Sequence, residues 1–284
     1  MFAAGLLRDK RILITGGGTG LGRAMAARFL ELGAAVYICG RRGAVLQQAC
    51  DELSQATTGA IRSCVCDVSD AGAVEQMIDG LWREAPLHVV VNNAAGNFLA
   101  RTEELSPRAW QAVLGIVLTG TINVTMSCGR RWLQAGMAGT VLNISTTYAA
   151  TGAGSAYVVP SAVAKAGVMA LTTSLAVEWG PRGIRLNGIA PGPIPTEGAF
   201  SRLLPRPELE QLAKQRNPLR RFGTLEEFAN LAAFLVSDGC TYLNGEVVVM
   251  DGGEWLQGAG EFSALGQQLT DEEWAAMRQR KSGR

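Results

Sequence analysis

Histidine is almost absent: His88 is the only one in 284 residues. A histidine-based hydrolytic triad needs an imidazole beside a nucleophile and a metal site of this kind needs several, so a lone His88 opening the run toward Asn92 supports neither. Cysteine is sparse and scattered. Cys39, Cys50, Cys64, Cys66, Cys128 and Cys240 include no pair at zinc-like or redox-motif spacing. They read as small buried hydrophobes in a reducing compartment rather than a disulfide framework. Cys64 and Cys66, two apart on an expected strand, share one face but are isolated from other ligands.

An excess of charge is missing too. The net charge is +1 with both signs interspersed, so no nucleic-acid surface is expected, and Arg278, Arg280, Lys281 and Arg284 read as a solvated tail. No uninterrupted apolar run approaches the roughly 20 residues that cross a bilayer, and the first residues do not pair a charged region with a sustained apolar one. The expectation is a soluble, intracellular, cytoplasmic protein without a membrane span. No Pro/Ser-rich linker or low-complexity break divides the chain, which predicts one domain over residues 1–284 with a C-terminal extension from about 257.

Short apolar runs alternate with helical periodicity. The strand candidates are 11–15, 35–39, 61–66, 89–92, 140–144, 185–189 and 247–250. The intervals carry helical candidates at 21–32, 43–55, 71–84, 107–135, 160–179, 208–216 and 225–237. Strands apolar on both faces and joined by helices imply an α/β fold: a doubly wound parallel sheet of about seven strands, covered on each side. Right-handed crossovers then place the ligand crevice at the carboxyl ends of the strands.

Two motifs fall at those ends. Thr15-Gly16-Gly17-Gly18-Thr19-Gly20-Leu21-Gly22 follows the first strand and opens the first helix, and Asn92-Asn93-Ala94-Ala95-Gly96 follows the fourth strand. Glycine permits the tight strand-to-helix turn and removes the Cβ atoms that would hold a pyrophosphate away from the amides of the helix N-terminus. In that context the loop is a Rossmann-type dinucleotide cradle, with Gly16, Gly18, Thr19, Gly20, Leu21 and Gly22 against the cofactor. A carboxylate that would select a free ribose 2′-hydroxyl is missing from the end of the second strand, which reads Cys39-Gly40-Arg41-Arg42. Arg41 can pair with a 2′-phosphate and stack on adenine, so NADP(H) is the expected cofactor. Asp67 is placed either to accept from the adenine amino group or to cap the helix that follows.

Thr15–Gly22, Asn92–Gly96, Lys165 and Pro191-Gly192-Pro193-Ile194 together resemble the short-chain dehydrogenase/reductase family, from about residue 8 to 256. A narrower likeness, to the mitochondrial-type 2,4-dienoyl-CoA reductases, rests on Asn92–Phe98, Val159–Ala162, Pro191–Ile194, Gly198–Leu203 and Gly260-Glu261-Phe262. The resemblance implies reduction of a 2,4-dienoyl-CoA to a 3-enoyl-CoA, an auxiliary step in unsaturated fatty-acid oxidation, in a homotetramer. It also implies that Val68, Asn93, Ala94, Ala95, Lys165 and Pro191 through Ile194 contact the cofactor, with Thr196 near its phosphate.

The general family pattern fails at one point. A tyrosine usually precedes the lysine by four residues, yet position 161 is serine. In the resembled subgroup the tyrosine lies after the fifth strand, and Tyr148 matches it; Ser161 and Lys165 then share a helix face. Tyr157 is the competing phenol and otherwise a pocket residue. About two extra residues within 152–155 separate this chain from the subgroup pattern. Tyr148 and Asn97 would donate to a thioester oxygen as it gains charge, a contribution of about 3 to 4 kcal/mol per donor. Phe98, Ser106 and Arg202 match substrate contacts, with Arg202 facing a CoA phosphate. Ser69 and Thr119 depart from the relatives, which weighs against the acyl-CoA substrate more than against hydride transfer. A reductase of another enoyl or carbonyl substrate stays open because fold and cofactor site do not fix a substrate, and more remotely a non-catalytic dinucleotide-binding module because the tyrosine four residues before Lys165 is missing.

Overall fold

The apolar runs form one parallel sheet. In a computed structural model that describes residues 2–57, 59–150, 154–196, 207–258, 270 and 272–273, its strands lie in the order β3-β2-β1-β4-β5-β6-β7. They are β1 (Arg11–Thr15), β2 (Ala35–Gly40), β3 (Ile61–Val65), β4 (Val89–Asn92), β5 (Gly139–Ile144), β6 (Ile184–Pro191) and β7 (Val247–Met250). The order reverses direction between β1 and β4, which opens a crevice above the carboxyl ends of these two strands.

Alternation along each strand sorts its side chains into two cores. Ile12 and Ile14 of β1 join a cluster with Met25 and Phe29 of α1 (Gly20–Glu31), Leu46 and Leu53 of α2 (Gly43–Ala56), and Phe228 of α9 (Leu225–Val236). Leu13, between them, joins the opposite cluster with Val74 and Ile78 of α3 (Ala71–Glu84), Trp132 of α5 (Gly120–Ala135) and Trp179 of α7 (Val159–Trp179). Cys64 and Cys66 pack against that second cluster, and all six cysteines are free thiols.

The expected helix over 107–135 is interrupted. It comprises α4 (Pro107–Leu114), a π-helical turn over Gly115–Thr119, and α5. The widened turn inserts a residue into the helical ladder, and Gly120 beyond it lets the backbone settle on Val68: a Cβ there would stand 2.5 Å from the Val68 side chain. Ile116, inside the turn, reaches the crevice. Two further short helices, α6 (Thr147–Ala150) and α10 (Glu254–Gly258), are also absent from the expectation, while α8 (Pro207–Arg216) matches it to within a residue. The spans 107–135 and 159–182 are each long and apolar enough to pass as membrane spans by composition, and about half of each window is buried inside this fold (50% and 44%).

Amides and hydroxyls tie the sheet to the second helical layer. Asn92 Nδ2 donates to Asn143 Oδ1 (2.8 Å) and to Thr125 Oγ1 (2.9 Å), while Asn143 Nδ2 donates to Thr172 Oγ1 (2.8 Å). Every one of these residues is buried. Replacing Asn143 by Ala leaves one N–H of the buried Asn92 amide without an acceptor and removes the donor to Thr172 Oγ1, and urea unfolding is expected to show a loss of about 1 to 3 kcal/mol. A loss under about 0.5 kcal/mol, the range of an ordinary surface change, would show that this network contributes little.

Candidate active site

Thr15 ends β1 where the chain must turn into α1. Its Oγ1 accepts from the amides of Asn93 (3.0 Å) and Ala94 (2.9 Å), and Asn93 Nδ2 donates back to the carbonyls of Thr15 (2.9 Å) and Gly16 (3.2 Å). The two motifs are therefore bolted together, and the Asn93 side chain is spent on that clamp. Gly20 lies at φ +53°, and a Cβ on Gly22 would stand 2.3 Å from the Gly16 carbonyl oxygen. Neither position accepts a side chain without moving the loop.

The α1 N-terminus has no side-chain cap and no acidic residue in its first turn. Its amides are left to an external anion. Thr196 packs beside Gly20 at this end. Arg41, exposed after β2, faces the same crevice as Asp67 and Val68. The Asp67 carboxylate accepts from the Ser69 hydroxyl (2.7 Å) and amide (3.0 Å), and these bonds together with Arg41 hold its pKa down. The capping reading of Asp67 is corrected: Asp70 caps α3, accepting from the amides of Gly72 and Ala73.

These groups line one crevice of about 1080 Å³ that runs from Arg41 past Asn97 and Tyr148 to Trp255. Its far wall is the segment after β6, where the Gly192 amide donates to the Met250 carbonyl and the Gly223 amide to that of Pro193. A Cβ at Gly192 would lie 2.7 Å from the Asp251 side chain, so Pro191–Ile194 presses against the turn after β7. Ser145 Oγ, enclosed at the head of β5 and lining the crevice, has no hydrogen-bond partner. An orphaned hydroxyl, an uncapped helix end and a Cβ-free loop together fit an extended dinucleotide.

Tyr148 stands on α6, one short turn beyond β5. Its Oη accepts from Asn97 Nδ2 (3.3 Å) and is 3.0 Å from Ser161 Oγ. The Phe98 amide donates to Asn97 Oδ1 (2.9 Å), which turns the Asn97 NH₂ toward the phenol. One helical turn past Ser161, Lys165 is buried and its Nζ donates to the Ile144 carbonyl. Tyr157 lies elsewhere: it is 59% exposed, adopts φ +66°, and is not among the crevice lining. Its carbonyl accepts from the Ala100 amide, which makes it a backbone brace. Phe98 packs with Val113, Val117 and Ala164, and Ser106 caps α4 through the Ala109 amide. Arg202, with 198–203 and 260–262, lies outside the described residues. Sequence reasoning missed Thr15, Ser145, Ile116 and Glu254; for Thr15 the signal was its place beside the first glycine.

The chain belongs to the short-chain dehydrogenase/reductase family. Residues 16–254 match the family model described as enoyl-(acyl carrier protein) reductase. The chain is 47% identical over 255 residues to an uncharacterized oxidoreductase of Caenorhabditis elegans, covering 88% of this chain and 80% of that one. It is 44% identical to a probable (3E)-enoyl-CoA-producing 2,4-dienoyl-CoA reductase of the same organism (88% and 82% covered). To a probable (2E)-enoyl-CoA-producing 2,4-dienoyl-CoA reductase of Bacillus subtilis it is 43% identical (88% and 98%). Among solved structures it resembles a short chain dehydrogenase from Bacillus anthracis (TM-score 0.78, 40% identity, 87% and 96% covered). A gluconate 5-dehydrogenase from Burkholderia cenocepacia in complex with NADP and tartrate is similar at TM-score 0.82 and 28% identity (88% and 96%).

Burial lowers the Lys165 pKa to about 8. Between that value and the ordinary one for lysine the unfolded chain binds more protons, so this group's contribution to stability rises with pH across the interval. In the cofactor-binding role that the family resemblance implies for Lys165, the ammonium would act in its charged form. Affinity for NADPH, followed by fluorescence titration, is therefore expected to weaken as pH rises through about 8, and Lys165→Met to bind weakly without that dependence. A wild-type affinity that stays flat across the range would contradict the assignment.

Proposed function

We propose that the protein reduces a 2,4-dienoyl-CoA to a 3-enoyl-CoA with NADPH. The observation that carries the reading is the set Asn97–Tyr148–Ser161, in which the phenol sits on α6 rather than one turn before Lys165 on α7. Relatives named 2,4-dienoyl-CoA reductase at 42% to 44% identity support the substrate class. Arg41 in place of an acid after β2, and the NADP held by the B. cenocepacia enzyme, support the cofactor. Six free thiols accord with a reducing, cytoplasmic setting.

NADPH, when bound, supplies hydride to the δ carbon. The α1 amides and Arg41 would hold its phosphates, Asp67 its adenine, and Lys165 its nicotinamide ribose. The backbone of Ala94 and Ala95 and the segment Pro191–Ile194 would border it. Asn97 Nδ2 and the Tyr148 hydroxyl donate to the thioester oxygen, where charge collects as the conjugated system is reduced. Ser161 holds the phenol in that direction. Both donors are fixed before substrate arrives, so little reorganisation accompanies the charge shift. Arg202 is proposed as the contact for a CoA phosphate.

The test is NADPH oxidation with a 2,4-dienoyl-CoA. Tyr148→Phe is expected to lower kcat roughly 100- to 1000-fold, whereas Tyr157→Phe stays near wild type. Loss of turnover in Tyr157→Phe alone would transfer the role. Turnover of free ketones in preference to CoA thioesters would replace the substrate class.

A homotetramer is part of this proposal. Val163 and Val177 of α7 and Ile122 of α5 are 47%, 80% and 37% exposed, an apolar surface suited to burial between copies. Light scattering is expected to return four times the 30.0 kDa chain mass; a persistent monomer would refute it.

A further inference from the structure

The crevice has more wall than a dinucleotide and two thioester donors use. The cofactor occupies it from Arg41 to Lys165 in the reading above, and Asn97 and Tyr148 take the thioester oxygen. Among the described residues, Leu99, Val158, Ala213 and Trp255 also line it and are assigned to nothing so far. Leu99 lies two residues past Asn97, and Val158 three before Ser161, so an apolar surface begins at the donors themselves. Ala213 of α8 and Trp255 of α10 continue it on the side of β7.

Trp255 stands last along that surface. β7 is the edge strand of the sheet and α10 is the element that follows it, so no further strand end prolongs the crevice past the indole. Apart from Tyr148 it is the one aromatic residue in the described lining.

This end is stiff. The Asp251 carboxylate accepts from the amides of Gly253 (2.8 Å) and Trp255 (2.9 Å), which fixes the first turn of α10. Asn217, buried directly after α8, donates from Nδ2 to the Asp251 carbonyl (2.7 Å). A Cβ at Gly252 would stand 2.6 Å from the Asn217 side chain, so the tie is a close fit. α8 and α10 are thus fastened to one turn, and Ala213 and Trp255 keep a constant spacing. Asp251 is spent on the α10 amides, which leaves the indole as the largest side chain offered here.

A dienoyl-CoA has one part that suits such a surface. Its nucleotide and phosphates are charged and its thioester is polar, whereas the alkyl tail beyond the conjugated carbons gains affinity only by leaving water, roughly fourfold per buried methylene. We propose that Leu99, Val158 and Ala213 seat this tail and that Trp255 ends the seat, so that the indole sets the longest acyl chain the enzyme accepts. The inference rests on the dienoyl-CoA reading above and names a substrate limit within it. Because the tail does not react, its fit enters the ground state and the transition state alike and is read in KM more than in kcat.

The experiment measures kcat and KM of the full-length protein for a series of 2,4-dienoyl-CoAs lengthened two carbons at a time from the six-carbon member. In wild type, kcat/KM is expected to climb roughly fourfold per methylene until the tail meets Trp255, and to fall about 10-fold or more at the next member. Trp255→Ala is expected to move that fall to a longer chain and Ala213→Phe to a shorter one, with the change carried by KM. Trp255→Phe, which keeps a ring in place, moves it less than Trp255→Ala does. Far-UV circular dichroism and NADPH affinity report whether each variant is folded, and Trp255→Ala decides alone should Ala213→Phe not fold. No fall in wild type, a fall at the same length in Trp255→Ala, or a loss spread evenly over all lengths, as a loosened fold would give, would each overturn the assignment. Wild-type protein inactive with every member of the series would overturn the substrate reading instead, before chain length is reached.

Discussion

The Thr15 hydroxyl joins the two loops on which the crevice is built. By accepting from the Asn93 and Ala94 amides it holds the segment after β4 against the glycine turn after β1, across the point where the strand order reverses. Sheets of this class bind ligands at such a reversal because the loops on either side part there. An opening is useful for catalysis only if its rims keep a constant distance. The clamp supplies that constancy, and Asn97, five residues beyond Asn92, inherits its position from it.

On this scaffold the phenol in the crevice is carried by α6 rather than by α7. With serine at position 161, the helix that carries Lys165 keeps a hydroxyl one turn away, and Tyr148 reaches that hydroxyl from α6 instead. The exchange pairs the phenol with the Asn97 amide, so two donors converge on one point. A thioester oxygen gaining charge requires that arrangement, and the buried Lys165 ammonium remains free of the phenol and fixed to the Ile144 carbonyl. Around them the crevice grades in character, from the exposed Arg41 at one end to Trp255 and the half-buried Glu254 at the other.

Much of this was legible in the residues. All seven strands appear within a few residues of the apolar runs, because a strand buried on both faces has few sequence alternatives. The two glycine- and asparagine-bearing motifs and Lys165 also stood out, since each occupies a place where few residue types serve, whereas Tyr148 was marked only by the subgroup resemblance, with Tyr157 competing. The π-helical turn at Gly115–Thr119 did not. Its periodicity differs from that of an α-helix by one residue, and the close approach of Gly120 to Val68 just beyond it joins segments far apart in the chain, which no local pattern displays.

The sequence by itself determined the sheet, the cradle and the choice of Arg41 over an acid after β2, because these follow from local hydrophobic period, from glycine geometry and from the charge of a single side chain. Tertiary structure alone set Tyr148 rather than Tyr157 on the crevice wall, gave the cap of α3 to Asp70 rather than Asp67, and brought Glu254 into the same lining. Those outcomes depend on which distant residues enclose a polar atom. Enclosure is a property of the folded chain, not of any stretch of it.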